Sequence, residues 1–276
     1  MKLEFYNFQT VDSPLSKYKR NVTSQSGEDG IIARILELIQ PPNRFCVEFG
    51  AWDGIKHSNC YNLIKNCGWG GVLIEADGKK YEELAKTYED TPQATTVNRL
   101  VAFEGSHALD NILDEFSAPT EIGVLSIDVD GNDYYIWESL TRHSAEVVVI
   151  EFNPTVPNDV LFVQDKSLEV NQGCSLLALI MLGKDKGYEL AACTDYNALF
   201  VKRDKLEVLG VKSNFITSMF VPQQDGRIFQ GYDGTVHVVG MTRLIWKGGE
   251  PGIPVTSEDF QVLPKSMRFW KGTPNR

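Results

Sequence analysis

A chain of 276 residues with net charge −10, 42% hydrophobic and 23% charged residues is long enough for one large core, or for a core domain with an accessory lobe. Its basic residues are scattered, so there is no stripe to neutralise phosphates and a nucleic-acid partner is not expected. No apolar run approaches the ~20 residues of a membrane helix, and residues 1–8 lack the apolar core and small-residue cleavage site of a secretion signal. Membrane insertion and export are therefore not expected either.

Five cysteines, Cys46, Cys60, Cys67, Cys174 and Cys193, are odd in number and fit no zinc spacing. They read as free thiols of a cytoplasmic protein.

In chain order, Ser26 is placed to cap a helix, with Asp29 completing a capping-box pattern. Ile31, Ile32, Ile35, Leu36 and Ile39 share one helical face, and Pro41-Pro42 ends the run. Strand-like apolar runs follow at 45–49, 71–75, 94–98, 123–128 and 146–152, each trailed by helix-like sequence. That alternation predicts a parallel sheet covered on both faces.

A helix over 175–186 leads into strands at 188–193 and 198–202, joined by Thr194-Asp195-Tyr196-Asn197. A parallel return needs a dozen or more residues, so this link permits only an antiparallel hairpin. The sum is a doubly wound, mostly parallel, seven-stranded α/β sheet with the layout of class I methyltransferases. A nicotinamide-binding Rossmann domain would end on another parallel strand. This domain is expected to span residues 1–205. From 206 to 276 the texture changes: 226–252 is rich in glycine and aromatics, and 235–246 reads as a strand. We expect a β-rich extension there, a substrate-side lid or a homo-oligomer contact presenting Phe229, Tyr232 and Trp246.

The first strand runs into Glu48-Phe49-Gly50-Ala51-Trp52-Asp53-Gly54. Glycines at 50 and 54 let the backbone approach a ligand at the carboxyl end of the sheet. Trp52 replaces the middle glycine of the dinucleotide fingerprint, so a pyrophosphate loses its cradle. The acidic Glu48 suits the cationic amino and sulfonium groups of S-adenosylmethionine. The alternative is a structural strand-to-loop turn. The second strand ends in Glu75-Ala76-Asp77, where a carboxylate can accept hydrogen bonds from both ribose hydroxyls.

The fourth strand leads into Asp128-Val129-Asp130-Gly131-Asn132-Asp133, and the fifth into Glu151-Phe152-Asn153. Residues two apart on a strand face one way, which pairs Asp128 with Asp130 and Glu151 with Asn153 if the strands persist. Such oxygens on adjacent strands can hold a hard cation such as Mg2+. The alternative is that Asp130 and Asn132 cap the next helix.

Together, Ser24-Gln25-Ser26-Gly27-Glu28-Asp29, the segments 47–54, 58–59, 68–75 and 125–134, and Glu151-Phe152-Asn153-Pro154 resemble the FkbM-type methyltransferases over residues 24–202. The resemblance implies S-adenosylmethionine as cofactor and O-methylation of a hydroxyl group on a sugar, glycolipid or polyketide. It implies that Glu48, Gly50, Ala51 and Gly54 line the cofactor, that Glu75 holds its ribose, and that Asp128 lies near the methyl group. Gln25, Ser58, Asn59, Ala76, Asp77 and Val101 complete the expected cofactor set.

Segment 128–134 is also similar to the V-D-A-D-K-x-x-Y stretch of cation-dependent catechol-type methyltransferases, whose first Asp binds magnesium. Here Gly131 stands where those enzymes keep a lysine base, and Phe152 separates Glu151 from Asn153. Asp128, Glu151 and Asn153 are the expected metal ligands. Asp128, Asp130, Asp133 and the loop residue His57 are the candidate bases. Two rivals remain: a catalytically inactive glycan-binding module, and a nucleotide-sugar or NAD-dependent enzyme.

Overall fold

The computed structural model describes residues 13–221, 227–232, 234–239, 243–244 and 253–254. Helix α1 (Glu28–Ile39) buries Ile31, Ile32 and Ile35, as its apolar stripe predicts. Its start differs from the expected capping box, because Gly27 occupies the N-cap with no side-chain bond. Asp29 Oδ2 instead accepts the backbone N–H groups of Val22, Thr23 and Ser24 at 2.7, 2.9 and 2.8 Å, and Ser24 Oγ accepts from Asp29 N. The Ser26 N–H donates to Glu28 Oε2. One carboxylate thus organises the loop before the helix, and Ser26 has no cap to make.

Seven strands form one sheet: β1 (Phe45–Phe49), β2 (Gly70–Glu75), β3 (Ala94–Asn98), β4 (Glu121–Ile127), β5 (Ser144–Glu151), β6 (Tyr188–Cys193) and β7 (Asn197–Lys202). Their order is β3-β2-β1-β4-β5-β7-β6. The first five pair in parallel, and β7 runs antiparallel to both β5 and β6. Helices α2 (Gly78–Tyr88), α3 (Leu109–Glu115), α4 (Asp133–Ser139) and α5 (Leu176–Asp185) connect the strands. This is the Rossmann-like fold of class I methyltransferases, with its closing antiparallel hairpin.

Every residue from Val147 to Ile150 is fully buried, as are Val124, Leu125, Val47 and Phe49. These are the uninterrupted apolar runs of strands covered on both faces. The chain winds outward from β1 through β2 to β3, then returns to the other side of β1 with β4. The β1/β4 junction is therefore the switch point, outside whose carboxyl ends such sheets bind ligands.

The connections are less regular than expected. One turn of π-helix, Asn62–Asn66, takes the place of a full helix after β1. Residues 152–175 link β5 to α5 without helix, held by a bridge between Val163 and Cys174. Residues 206–221 contain short helical turns and α6 (Ile216–Met219). Leu209, Val211, Met219 and Phe220 are buried in the same core, and the Phe220 ring stands edge-on to Phe152 at 4.9 Å.

Beyond them, β8 (Arg227–Gln230) and β9 (Val236–Val239) form an antiparallel hairpin, and β10 (Arg243–Leu244) pairs with β11 (Ile253–Pro254). The side chains of Phe229 and Tyr232 are exposed. Trp246 lies outside the described residues. Among the described residues the cysteines are all free, with only Cys67 exposed. None of the described helices is long and apolar enough to cross a membrane.

Candidate active site

A cleft of about 790 Å³ opens across the carboxyl ends of β1, β2, β4 and β5. At the end of β1 the chain turns through Gly50 at φ 72°, where a Cβ would lie 1.8 Å from the Asp128 carbonyl oxygen. Only glycine allows the two strand ends to approach so closely. Gly54 plays a different part from the cofactor contact expected of it. It does not line the cleft, and a Cβ there would stand 2.6 Å from both Leu84 Cδ1 and Tyr88 Cε2. Its bareness lets α2 pack against the loop.

The buried Glu48 carboxylate accepts from Ser58 Oγ and, at 2.7 Å, from the Asn59 N–H. Burial raises its pKa to about 7, and these hydrogen bonds oppose the rise. Asn59 Nδ2 donates to Ser126 Oγ at 3.0 Å. Asn59 Oδ1 is buried with no partner among the described residues. Since Asn59 lines the cleft, this oxygen is an open acceptor in a place where native proteins seldom leave one.

At the end of β2, Glu75 Oε2 accepts from the Trp52 N–H and Oε1 from the Asp77 N–H, each at 2.8 Å. One bond on each oxygen leaves each with a further lone pair. Asp77 itself is exposed and outside the cleft. It caps α2 by accepting from the N–H groups of Lys79 and Lys80, which hold its carboxyl below the usual range. Ala76, Val101, Gln25 and Ala51 line the cleft, as does the exposed His57.

Asp128, Asp130 and Glu151 meet on the floor, one carboxylate oxygen of each within 4.8 Å of the others. The route differs from the strand argument, since β4 ends at Ile127 and Asp130 adopts a left-handed φ of 55°. That turn, rather than strand alternation, brings Asp130 beside Asp128. No hydrogen bond or ion pair to any of the three side chains occurs among the described residues. Burial first, then the neighbouring carboxylates, pushes Asp128 and Glu151 well above the ordinary range. Burial also raises Asp130, opposed by Lys80.

Two expected members are absent from the floor. Asp133 is buried behind the loop, accepting from the Val129 N–H at 3.0 Å and the Gly131 N–H at 2.9 Å. Burial lifts its pKa to about 6. Asn132 occupies the N-cap of α4 without a side-chain capping bond. Asn153 is not with Glu151, because β5 ends at Glu151 and the alternation stops there. Its Oδ1 accepts from the Thr155 N–H and hydroxyl, and its Nδ2 donates to the Gln172 carbonyl. It pins the loop.

Motif reading overlooked the Trp52, Lys56, Lys80, Ser126, Asn171 and Tyr196 side chains that also line the cleft. Tyr196 was within reach, since an antiparallel hairpin after β5 must turn at the carboxyl edge of the sheet. Asn171 comes from the irregular 152–175 segment and carries no such signal.

No family model matches the chain, and no curated protein does. Solved structures do, 131 chains among them. The N-terminal domain of EvdMO1 in the presence of SAH (S-adenosyl-homocysteine) and D-fucose shares 10% identity and a TM-score of 0.43, over 64% of this chain and 82% of its own. PKMT2 from Rickettsia typhi in complex with AdoHcy shares 10% and 0.45, over 86% of this chain and 65% of its own. TrmK of M. capricolum in complex with SAH shares 13% and 0.37, over 62% and 65%.

Proposed function

We propose that this chain is an S-adenosylmethionine-dependent O-methyltransferase acting on a hydroxyl group of a sugar or glycan. The observation that carries the reading is a single cleft holding Glu75 at the end of β2 and, at the ends of β4 and β5, three carboxylates without a partner among the described residues. The residues fit the cofactor. Glu75 keeps a free lone pair on each oxygen for a pair of ribose hydroxyls. Asn59 Oδ1 is an orphaned acceptor for an ammonium group. Glu48 and the acidic floor favour a cation, whereas a dinucleotide would bring its pyrophosphate to a loop with Trp52 in place of glycine. The acceptor class rests on the motif resemblance.

When bound, S-adenosylmethionine supplies a methyl group activated on a sulfonium. The chain's own contribution is alignment of an acceptor oxygen and removal of its proton. Asp128, with its raised proton affinity and no competing donor, is the base we assign. Glu151 and Asp130 keep its charge in check by sharing a proton, or all three hold a divalent cation that lowers the hydroxyl's pKa. The Gly131 and Val129 amides, fixed by Asp133, set the shape of this loop.

The test is turnover of radiolabelled S-adenosylmethionine against a panel of hydroxylated sugars, glycans, amines and thiols. Label appearing in ether-stable products of the sugar arm supports the reading. Transfer only to nitrogen or sulfur acceptors would overturn the O-methylation part of it.

A further inference from the structure

Lys56 and Lys80 both place their Nζ atoms 4.2 Å from the centroid of the Trp52 ring. All three residues line the cleft, and Trp52 is 38% exposed. Lys80 comes from the first turn of α2 and Lys56 from the loop after β1, so two separate elements converge on one indole. Neither ammonium forms an ion pair with a carboxylate among the described residues. Arg99, the other cation of the lining, is already bound to Glu115 through both terminal nitrogens. Lys56 and Lys80 are the lysines of the cleft, and neither forms an ion pair among the described residues, in a chain of net charge −10 that has carboxylates in surplus.

Glu75, which accepts from the Trp52 N–H, has a hydrogen bond on each oxygen; the cleft acids with no partner among the described residues sit elsewhere. Asp128, Asp130 and Glu151 form the floor. The cleft is therefore polarised, acidic at the floor and cationic along the Trp52 edge. A wholly neutral acceptor would leave both ammonium groups of this edge without a bound counter-charge. An anionic group bound at the Trp52 edge supplies that counter-charge and leaves the indole contacts in place.

Resting on the methyl-transfer reading, we infer that the acceptor carries an anionic group, a phosphate or a carboxylate, held by Lys56 and Lys80 over Trp52 while its hydroxyl faces Asp128. The inference narrows the acceptor from sugars in general to acidic or phosphorylated ones.

The experiment titrates D-glucuronate, D-glucose 6-phosphate, inorganic phosphate and D-glucose into the full chain saturated with S-adenosyl-homocysteine, at constant ionic strength. The affinity of S-adenosyl-homocysteine is measured alongside. At least one anion is expected to bind tenfold or more tightly than glucose. That preference should fall below threefold in the Lys56→Gln/Lys80→Gln variant, with S-adenosyl-homocysteine affinity unchanged within threefold. A carboxylate-only or phosphate-only response identifies which anion the site takes.

Binding of glucose as tight as that of every anion, no binding by any of the four, or a preference that survives in the variant would overturn the inference. So would a tenfold loss of S-adenosyl-homocysteine affinity in the variant, which would assign the lysines to the cofactor. Failure of wild-type protein to bind S-adenosyl-homocysteine is a separate result, and it overturns the reading beneath.

Discussion

Glu151 brings a carboxylate oxygen within 4.8 Å of one from Asp128, across the ladder that pairs β5 with β4. The register leads to this, since Ile127 faces Ile150 at the end of the ladder and the next residue in each segment is an acid. Two such charges in a half-buried site cannot both stand ionised without a proton or a cation between them. In the proposed mechanism burial, reinforced by neighbouring carboxylates, gives Asp128 its affinity for the acceptor's proton.

Asp128→Asn and Glu151→Gln should each lower turnover by roughly 10²–10⁴-fold, the range of a positioned general base. Affinity for S-adenosyl-homocysteine should stay within severalfold, because the proposed ribose and ammonium partners are Glu75 and Asn59. Steady-state rates and calorimetric titration of both variants check this. Wild-type turnover in both would remove the pair from the mechanism.

Chelation separates the two ways of relieving the acidic floor. If a divalent cation sits among Asp128, Asp130 and Glu151, turnover falls in chelator and returns with magnesium or manganese, and Asp130→Asn lowers the apparent metal affinity. Full turnover in chelator leaves a shared proton as the device.

Glu75→Ala should weaken S-adenosyl-homocysteine binding by about 1–3 kcal/mol, the cost of leaving hydrogen-bonding groups without partners. It should also loosen the Trp52 loop, whose N–H it holds. Glu75→Gln keeps one carbonyl acceptor and is expected to fall between. An unchanged dissociation constant in Glu75→Ala would contradict the ribose assignment.

Glu48 imposes a pH dependence on stability. Its folded pKa of about 7 lies above the ordinary 4.5, so the unfolded chain releases this proton first as pH rises. The Glu48 contribution is therefore present below pH 4.5 and is lost as pH rises toward 7, a change of about 3 kcal/mol. Chemical denaturation at several pH values should show Glu48→Gln gaining that much on the wild type between pH 4.5 and 7.5. A pH-independent difference between the two proteins would count against the raised pKa.

Much of this was legible in the sequence, because the signals were local. Runs of buried strand type marked β1 to β7 within a residue or two, and the four-residue link before β7 dictated the antiparallel hairpin. Residues at the strand ends, Glu48, Glu75, Asp128 and Glu151, fall in one cleft for the same reason: parallel strands carry their carboxyl ends to one edge. What failed was extrapolation past a strand end, where φ 55° at Asp130 and the pinned side chain of Asn153 ended the alternation. Gly54 and Asp133 lie outside the cleft lining, yet a glycine tolerating a helix and an acid holding a loop look, in sequence, like ligand contacts. The Trp52 edge needed α2 and the β1 loop to be brought together, which no spacing encodes.

Gly54 offers a check on that last distinction. Gly54→Ala pushes a methyl group into Leu84 and Tyr88 at a backbone φ of 75°, and should destabilise the fold by about 1–3 kcal/mol. The folded fraction should keep its affinity for S-adenosyl-homocysteine. A selective loss of affinity with unaltered melting would return Gly54 to the cofactor's lining.

The most direct test of the central claim is calorimetric titration of the full chain with S-adenosylmethionine, S-adenosyl-homocysteine, NAD and a UDP-sugar. The account predicts one site per chain for the first two ligands, lost or weakened in Glu75→Ala, and no heat from the others. Silence toward both adenosyl ligands, or saturable binding of NAD or the UDP-sugar at the Glu75 cleft, would contradict it.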